Sequence, residues 1–458
     1  MQDMLRFITC GSVDDGKSSL IGRLLYDSKK IFQDQLLSIE KESKKYGTVG
    51  DDIDLALLVD GLQNEREQGI TIDVAYRYFS TDIRKFIIAD TPGHEQYTRN
   101  MATGASTADL ALILIDAKKG VLTQTKRHSY IVSLLGIKDI VVVINKMDLV
   151  KYSQKKYEDI KREYKSIISK LPNYESINFS FIPVSALNGD NIVKKSLKMP
   201  WYKEDVLMQI LQSVKISQSA DTNSDFRFLV QYVNRPDANF RGFCGSISSG
   251  RIRVGDQIMV LPAKKTTKVK SIILPSVSVQ KLADEAYAPM AVTITTEDEI
   301  DICRGDMFIK EDSSITISDE LEVMVVWMSE TPLDLDKQYI IKRATTSLAG
   351  RFSSINYKID VDTFKQYTTD KAGLNDIIKA TLKLDEKIAA DTYRKNRLTG
   401  SFVIIDRYTN DTLGAGMIIS SKKEKKSSLK IDKEYSQKDK ELNAFIRKHY
   451  PDWQCKSI

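Results

Sequence analysis

The sequence predicts a multidomain α/β plus β protein, in which a mostly parallel sheet with helices on both faces precedes two β-barrels. The first part of this prediction comes from residues 1–216, where short apolar runs alternate with helical patterns. The second part comes from residues 226–420, where the hydrophobic period changes from helical to alternating. A chain of 458 residues is long enough for about three domains of ~100–200 residues each.

The domain boundaries follow from changes in composition along the chain. A small, polar stretch predicts a linker after the α/β domain. The end of the chain is a lysine-rich tail with a helical spacing over residues 438–450, whose apolar face can dock on the second barrel or on a partner. The predicted order is α/β domain, linker, first barrel, second barrel and tail, over residues 1–216, 217–225, 226–312, 318–420 and 421–458.

Five apolar runs of the first domain are predicted strands, and polar residues directly follow several of them. Asp90 follows the second run, Asn145 follows the fourth and Ser185 follows the fifth. Ligands bind at the carboxyl ends of the strands in open α/β sheets, so we expect these residues to lie at one site. The five runs cover residues 5–10, 85–89, 110–115, 140–144 and 179–184.

A glycine-rich loop, residues 11–18, lies between the first predicted strand and a helical pattern. Its spacing, G-x-x-x-x-G-K-S, lets successive backbone N–H groups surround a phosphate at a helix N-terminus, where the helix dipole favours negative charge. We expect Lys17 to reach the β- and γ-phosphates. We expect the hydroxyl of Ser18 to bind Mg²⁺, which prefers oxygen ligands. The sequence therefore predicts a nucleotide site that also takes Mg²⁺.

Two further motifs predict the nature of the nucleotide. Asp90 opens the sequence Asp-Thr-Pro-Gly-His, where its carboxylate can hold Mg²⁺ through water and Gly93 lets the backbone approach a γ-phosphate. Asp148 ends Asn-Lys-Met-Asp and can accept two hydrogen bonds from guanine, whereas adenine would leave this carboxylate unpaired. The backbone of residues 185–187 is expected at the guanine carbonyl. Together these motifs predict GTP.

These motifs, in this order, resemble the GTPases of the translation-factor class. The resemblance implies that Thr71, within Gly-Ile-Thr-Ile, binds Mg²⁺ and the γ-phosphate. It implies that His94 positions the attacking water and that Val13 and Ile70 flank this histidine as an apolar gate. We expect slow intrinsic hydrolysis, because no residue can be assigned as an arginine finger. Residues 27–68 are a candidate nucleotide-dependent element, with a stable helical insertion as the alternative.

Longer stretches resemble more closely the large, GTPase subunit of bacterial sulfate adenylyltransferase. Ser12 and Asp15 stand where elongation factor Tu has histidines, and Ser19 stands where the family commonly has threonine. Ser19 is adjacent to Ser18, whose hydroxyl is expected to bind Mg²⁺, and does not replace it. The resemblance covers essentially the whole chain, and the stretches that carry it are residues 58–63, 65–79, 234–236, 240–243, 396–402 and 441–451.

The resemblance implies that GTP hydrolysis drives synthesis of adenosine 5′-phosphosulfate and pyrophosphate from ATP and sulfate, in sulfate assimilation. It also implies a separate small subunit that holds the adenylyl-transfer site, in a heterodimer or a higher assembly. A second G-x-x-x-x-G-K-[ST] motif is missing from the sequence, so we expect no fused adenylylsulfate kinase. Two alternatives stay open here: a translation factor that delivers aminoacyl-tRNA, and a switch module that binds GTP without hydrolysing it.

The predicted site has catalytic, metal-binding and nucleotide-binding residues. The predicted catalytic residues are His94, Lys17 and Thr71, and the predicted Mg²⁺ ligands are Ser18, Thr71 and Asp90. The residues predicted to bind GTP are Gly11, Ser12, Val13, Asp14, Asp15, Gly16, Lys17, Ser18, Ser19, Asp90, Thr91, Pro92, Gly93, His94, Asn145, Lys146, Met147, Asp148, Ser185, Ala186 and Leu187.

Composition restricts the partners and the location. The net charge is +6, but residues 421–458 hold a surplus of five positive charges, so the rest of the chain is nearly neutral. We therefore expect no nucleic-acid partner. Apolar runs fall short of the ~18–20 residues of a membrane span. The four cysteines and three histidines are scattered, without the spacing of a metal site or a disulfide framework. These features predict a cytoplasmic protein.

Overall fold

The computed structural model describes most of the chain. The described residues are 3–28, 43, 55–59, 71, 73–215, 222–275, 281–313, 315–421 and 437–450. Most of the candidate nucleotide-dependent element, residues 27–68, lies outside them. The same holds for Ile70, half of the predicted apolar gate, and for much of the lysine-rich stretch of the tail.

The first domain is built on one six-stranded sheet. Its strands are β1 Met4–Cys10, β2 Ala75–Ser80, β3 Lys85–Asp90, β4 Leu110–Asp116, β5 Asp139–Asn145 and β6 Asn178–Pro183. Their order across the sheet is β2-β3-β1-β4-β5-β6, and only the edge strand β2 pairs antiparallel with its neighbour. Every residue of β4 is buried, as expected for a parallel strand that is covered on both faces.

Helices connect these parallel strands and cover the sheet. Helix α4 shows why they pack: its buried residues Tyr157, Ile160, Tyr164 and Ile168 lie three or four positions apart, which forms one apolar face. Because each crossover returns through a helix, the carboxyl ends of the parallel strands meet at one edge. The helices are α1 Lys17–Asp27, α2 Thr98–Ser106, α3 Thr123–Leu134, α4 Gln154–Ile168 and α5 Leu207–Ser213.

The second domain is a closed β-barrel. Its strands are β7 Arg227–Asn234, β8 Gly242–Ser249, β9 Arg251–Arg253, β10 Gln257–Leu261, β11 Lys265–Leu274, β12 Lys281–Ala283, β13 Glu285–Tyr287, β14 Ala291–Thr296 and β15 Met307–Lys310. Six of them form the ring β10-β15-β7-β8-β14-β11, which closes through the pairing of β10 with β11. Phe243 is buried in the barrel core, and Arg241 lies over its ring while donating to two backbone carbonyls.

The third domain is a second closed barrel. Its strands are β16 Thr316–Trp327, β17 Tyr339–Arg343, β18 Thr346–Ile359, β19 Gln366–Tyr367, β20 Ile377–Ala390, β21 Ser401–Ile405 and β22 Thr412–Ser421, with the short helix α6 Arg397–Gly400 before β21. The ring β17-β21-β22-β16-β20-β18 closes through the pairing of β17 with β18. A Cβ at Gly416 would lie 2.1 Å from the Phe402 ring, so glycine is required where that ring packs on β22.

The third domain packs against both of its neighbours. Its contact with the first domain has a large apolar part, because residues of this barrel belong to the same buried cluster as the core of the first domain; they include Met324, Val326, Ile359, Ile377 and Met417. Its contact with the second domain contains a buried ion pair, in which Arg227 donates to both carboxylate oxygens of Asp391 at 2.9 and 3.1 Å.

The last described element is α7, Gln437–His449, which confirms the helix predicted over residues 438–450. Leu442 and Phe445 on this helix are 59% and 53% exposed, so these two apolar side chains do not dock on the described parts of the barrel. Among the helices that the structure describes, none is long and apolar enough to cross a membrane.

The predicted fold class is confirmed: a mostly parallel α/β domain precedes two closed β-barrels. The five predicted strands of the first domain coincide with β1, β3, β4, β5 and β6 to within one residue at each end. The sequence did not predict the antiparallel edge strand β2. In the barrels it did not predict the short strands β9, β12, β13 and β19, nor the longer strands β17 and β22 of the third domain.

Candidate functional site

The glycine-rich loop joins β1 to α1 at the carboxyl edge of the sheet. Gly16, directly before α1, has φ 84°, and a Cβ there would lie 2.4 Å from the side-chain nitrogen of Asn145. Gly93 approaches the loop from the other side, since its Cβ would lie 2.7 Å from the backbone carbonyl carbon of Ser12. Both positions therefore require glycine, and the loop is enclosed between the two motifs that were predicted to contact the nucleotide.

Two side chains hold the start of this loop from inside the protein. The backbone N–H of Gly11 donates to His128 Nδ1 at 3.1 Å, and the N–H of Ser12 donates to Asp15 Oδ2 at 2.6 Å. Burial lowers the pKa of His128 to about 3, so the ring is neutral and its Nδ1 is free to accept. Burial raises the pKa of Asp15 to about 6. Both buried groups thus support the conformation of the loop from inside the protein.

Lys17 lies at the centre of the loop. Its Nζ donates to the carbonyl of Ser12 at 2.8 Å and to that of Gly11 at 3.4 Å. Burial lowers the pKa of Lys17, and the nearby carboxylate of Asp90 opposes this shift. Phosphate oxygens would give this buried ammonium group additional negative partners, which is the role that the loop motif predicts for it.

Three oxygen-bearing side chains meet at the entrance to α1. The hydroxyl of Ser18 donates to Asp90 Oδ2 at 3.2 Å, and Ser18 Oγ lies 3.5 Å from Thr71 Oγ1. The hydroxyl of Thr9 donates to the other carboxylate oxygen of Asp90 at 2.9 Å and so fixes its orientation. Burial raises the pKa of Asp90. Two hydroxyls and a carboxylate form the oxygen donor set that Mg²⁺ prefers, so these residues fit the metal.

The residues that follow Asp90 after β3 run from the candidate Mg²⁺ site to the protein surface. Thr91 and Pro92 are buried, whereas His94 is exposed. His94 lies directly before the short 3₁₀ turn Glu95–Tyr97, and its Nδ1 accepts from the N–H of Gln96 at 3.3 Å. The ring of His94 is therefore held mainly by a single local hydrogen bond.

The opposite end of the site is formed by Asn145, Lys146 and Asp148. Asn145 donates to the carbonyl of Asp15 at 2.8 Å and accepts from the N–H of Ala186 at 3.0 Å. Its buried side chain therefore joins the phosphate loop to the loop after β6. Lys146 has φ 60°, and its Nζ pairs with the buried carboxylate of Asp116 at 3.1 Å.

Asp148 and Ser185 are in direct contact at this end of the site. The hydroxyl of Ser185 donates to Asp148 Oδ1 at 2.6 Å, which leaves the second carboxylate oxygen for a ligand. Met147 is fully buried below them, and its N–H donates to the carbonyl of Val184. Leu187 is 49% exposed at the rim. The structure thus brings the predicted phosphate, metal and base residues to one edge of one sheet.

Comparisons with known proteins agree with this geometry. Residues 2–231 match the family model described as Elongation factor Tu GTP binding domain, and residues 320–419 match the one described as GTP-eEF1A C-terminal domain-like. Sulfate adenylyltransferase subunit 1 of Aliarcobacter butzleri (strain RM4018) is 58% identical over 457 residues, covering 100% of this chain and 95% of that protein. The chain belongs to the sulfate adenylyltransferase subunit 1 family.

A second relative supports this assignment. Sulfate adenylyltransferase subunit 1 of Sulfurovum sp. (strain NBC37-1) is 55% identical over 462 residues, covering 100% of this chain and 96% of that protein. Among solved structures, the GTPase-like domain of S. cerevisiae Ski7, bound to GTP, aligns with a TM-score of 0.50 and 18% identity, covering 91% of this chain and 97% of that chain. This structural likeness supports the three-domain fold.

Three residues that support the site in this subunit 1 family member were missed by the sequence analysis. His128 was counted only as a scattered histidine, because its partner is a backbone group that sequence patterns do not show. Asp116 is the last residue of β4, as Asp90 is of β3. A carboxylate at the end of a buried strand was therefore a signal that could have identified Asp116 as a site residue. Thr9, on β1 beside Asp90, carried no such signal.

Proposed function

We propose that this chain is the GTP-hydrolysing large subunit of a sulfate adenylyltransferase. In this proposal GTP hydrolysis drives synthesis of adenosine 5′-phosphosulfate and pyrophosphate from ATP and sulfate, and adenylyl transfer takes place on a separate small subunit in the cytoplasm. The observation that carries the proposal is the full-length identity of 55–58% to proteins named subunit 1 of this enzyme. The guanine-nucleotide geometry of the first domain supports it.

The residues of the phosphate loop would bind and polarise GTP. Backbone N–H groups of residues 13–18 at the N-terminus of α1 would surround the β-phosphate, and Lys17 would bridge the β- and γ-phosphates. Ser18, Thr71 and Asp90 would hold Mg²⁺, directly or through water, and this ion would neutralise negative charge on the phosphate oxygens. Phosphoryl transfer depends chiefly on such positioning and charge neutralisation.

His94 would orient the water that attacks the γ-phosphate. Its exposed ring can turn about its side-chain torsions, because among the described residues it has one hydrogen bond, at 3.3 Å. The short 3₁₀ turn that follows His94 determines the position of the His94 backbone, and therefore the region that its ring can reach. Hydrolysis should therefore be sensitive to any group that fixes this turn.

The other end of the site would select guanine. The carboxylate of Asp148, oriented by Ser185, would accept hydrogen bonds from the N1–H and N2–H₂ groups of the base. The backbone of residues 185–187 would donate to the guanine carbonyl. His94, directly before the turn after β3, and Thr71, 3.5 Å from the Ser18 hydroxyl, argue against the alternative of a switch that binds GTP without hydrolysing it.

The proposed reaction explains why a GTPase would be needed. The sulfuric–phosphoric anhydride is high in energy, so its synthesis from ATP and sulfate alone is unfavourable. GTP hydrolysis can offset this only if the GTP and GDP states of the chain bind the partner's intermediates with different affinities. The two barrels offer the surface for such a partner.

The deciding experiment measures GTP hydrolysis by the purified chain, alone and with the small subunit from the same cell, with and without ATP plus sulfate. Strong stimulation with adenylylsulfate formation would support the proposal. Identical rates together with an unchanged adenylylsulfate yield would reject the coupling. A slow rate that responds instead to tRNA or ribosomes would assign the chain to translation, and salt-sensitive RNA binding would accompany it.

A further inference from the structure

A side chain of the third domain reaches the turn that follows His94. Asn375 Nδ2 donates to the backbone carbonyl of Glu95 at 2.9 Å, across 280 residues of sequence. Asn375 is 3% exposed, and its Oδ1 has no hydrogen-bond partner among the described residues. The hydrogen bond to Glu95 is therefore the only polar contact that the described structure gives this side chain.

The barrel holds Asn375 in a fixed position. Its N–H donates to the carbonyl of Trp327 at 2.8 Å, and the N–H of Trp327 donates to the carbonyl of Asp376 at 2.9 Å. Trp327 is 1% exposed, so these bonds lie in the core of the third domain. The backbone of Asn375 has φ 65°, a conformation that asparagine and aspartate adopt more readily than most residues. The donor is therefore preorganised.

The position of the barrel relative to the first domain is also fixed. Beside the shared apolar cluster, the hydroxyl of Thr123 on α3 donates to Asp362 at 2.7 Å, and the rings of Tyr130 and Phe364 lie 5.2 Å apart. On the side of the first domain, Arg127 pairs with the Glu95 carboxylate at 2.9 Å. Arg127 on α3 thus holds the turn after His94 through the side chain of Glu95, and the barrel holds the turn through the backbone carbonyl of Glu95.

The Thr98 hydroxyl donates to the same Glu95 carbonyl at 2.7 Å from the end of the turn, and Asn375 and Arg127 reach Glu95 from outside the turn. In the ion pair with Arg127, the Glu95 side chain is 60% exposed and the Arg127 side chain is 11% exposed, so water screens the carboxylate end of the pair. The contact from Asn375 is partly buried and engages the Glu95–Gln96 peptide group, whose N–H donates to His94 Nδ1. A hydrogen bond to this carbonyl restricts the backbone of the turn, and errors of about 1 Å at a reacting centre can cost ~100-fold in rate.

We infer that Asn375 is a positioning residue for GTP hydrolysis, through which the third domain fixes the turn that carries His94. The inference rests on the proposed function, because it assumes that His94 orients the attacking water. It gives the third domain a direct effect on the chemical step. A partner that shifts this barrel relative to the first domain would change the hydrolysis rate without touching the nucleotide.

The test replaces the donor while keeping the shape. In Asn375→Asp an ionised carboxylate cannot donate to the Glu95 carbonyl, and aspartate tolerates the positive φ. Asn410→Asp is the matched control, because Asn410 has φ 62°, is exposed on the same barrel and lies in a turn after β21. Single-turnover GTP hydrolysis and affinity for a non-hydrolysable GTP analogue are measured on the full-length chain with the small subunit present.

We expect Asn375→Asp to lower the hydrolysis rate about 10-fold, with analogue affinity within about twofold of wild type. The difference in hydrolysis rate between Asn375→Asp and wild type should decrease as the pH falls, because the protonated carboxyl group of the introduced aspartate can donate a hydrogen bond again. Asn410→Asp should match wild type. An unchanged rate in Asn375→Asp, equal losses of rate and affinity, or the same loss in Asn410→Asp would overturn the inference.

Asn375→Gly guards against a folding defect, because glycine suits the backbone and also removes the donor. If both variants lose their folded state by circular dichroism, the contact serves stability, and the inference is wrong. Absence of hydrolysis in wild type with its small subunit would instead reject the proposed function. The two failures are therefore distinguishable.

Discussion

The two ends of the nucleotide site are held very differently. At the base end, Asn145 makes two buried hydrogen bonds that join the phosphate loop to the loop after β6, and Asp148 is oriented at 2.6 Å by Ser185. At the hydrolysis end, Thr71 lies 3.5 Å from Ser18, and His94 is exposed. In the proposed function, selection of guanine would therefore rest on the rigid scaffold, whereas hydrolysis would depend on groups that ligands and other domains must fix.

The sharpest way to test the rigid end is the substitution Asp148→Asn. The amide can donate to the xanthine carbonyl that replaces the guanine amino group, whereas it no longer matches the two guanine donors. We expect the preference for GTP over XTP to fall by roughly 10⁴-fold, and competition between labelled nucleotides measures it. Asp139→Asn, at the opposite end of β5, is the control and should leave the preference unchanged. An unaltered GTP preference in Asp148→Asn would refute the assignment.

The loosely held end predicts a different kind of loss. His94→Ala should slow hydrolysis by roughly 10²–10³-fold, because water is no longer oriented, while GTP affinity stays within about twofold. Quench-flow hydrolysis and fluorescent-nucleotide titration measure the two quantities separately. His449→Ala, which removes an exposed histidine from α7, should behave as wild type. A proportional loss of GTP affinity in His94→Ala would mean that His94 contributes to nucleotide binding. The proposed difference between the base end and the hydrolysis end of the site would then be wrong.

The same contrast explains what the sequence could predict. The rigid base end is encoded in short motifs at strand ends, and Asn145, Asp148 and Ser185 were predicted from their positions after strands and their order behind the glycine-rich loop. The contacts of the hydrolysis end come from distant parts of the chain, as between Asn375 and Glu95, and neither residue lies in a recognisable pattern. Local spacing cannot report a bond that forms only when a barrel packs on another domain.

The missed strands have a related cause. β22 contains Gly414 and Gly416, which weaken the strand pattern, and both are needed because neighbouring groups approach too closely for a Cβ. β2 is an edge strand in which exposed and partly buried residues alternate, and Tyr78 is 71% exposed. Its apolar signal is therefore weaker than that of β4, in which all residues are buried.

A third prediction uses pH to examine the inner support of the phosphate loop. The ordinary pKa of histidine is ~6.5, and burial lowers that of His128 to about 3. Between these values the unfolded chain binds a proton that the folded chain does not, so stability falls as pH falls below ~6.5. Asp15 acts in the opposite direction, because its pKa is raised to about 6 and the folded chain gains stability as pH falls through that value.

The substitution His128→Asn separates these two effects. The asparagine oxygen can accept from the N–H of Gly11 but does not titrate, so the substitution removes the His128 contribution and keeps that of Asp15. We expect wild type to lose about 2 kcal/mol relative to His128→Asn between pH 7 and pH 5, measured by urea denaturation. Parallel pH profiles of the two proteins would show that His128 is charged in the folded state and would contradict its role as an acceptor.

The smallest effect is expected at the outer surface of the same loop. Lys119 Nζ lies 3.5 Å from Asp14 Oδ2, but the two side chains are 41% and 70% exposed. An ion pair this accessible gains little, because water and salt screen it and two flexible side chains must be ordered. Lys119→Ala should therefore change the free energy of unfolding by less than ~0.5 kcal/mol and GTP affinity by less than about twofold, in thermal melts and nucleotide titrations. A large loss would mean that the loop is held from its surface as well as from inside, and the rigid end of the site would then extend to Asp14.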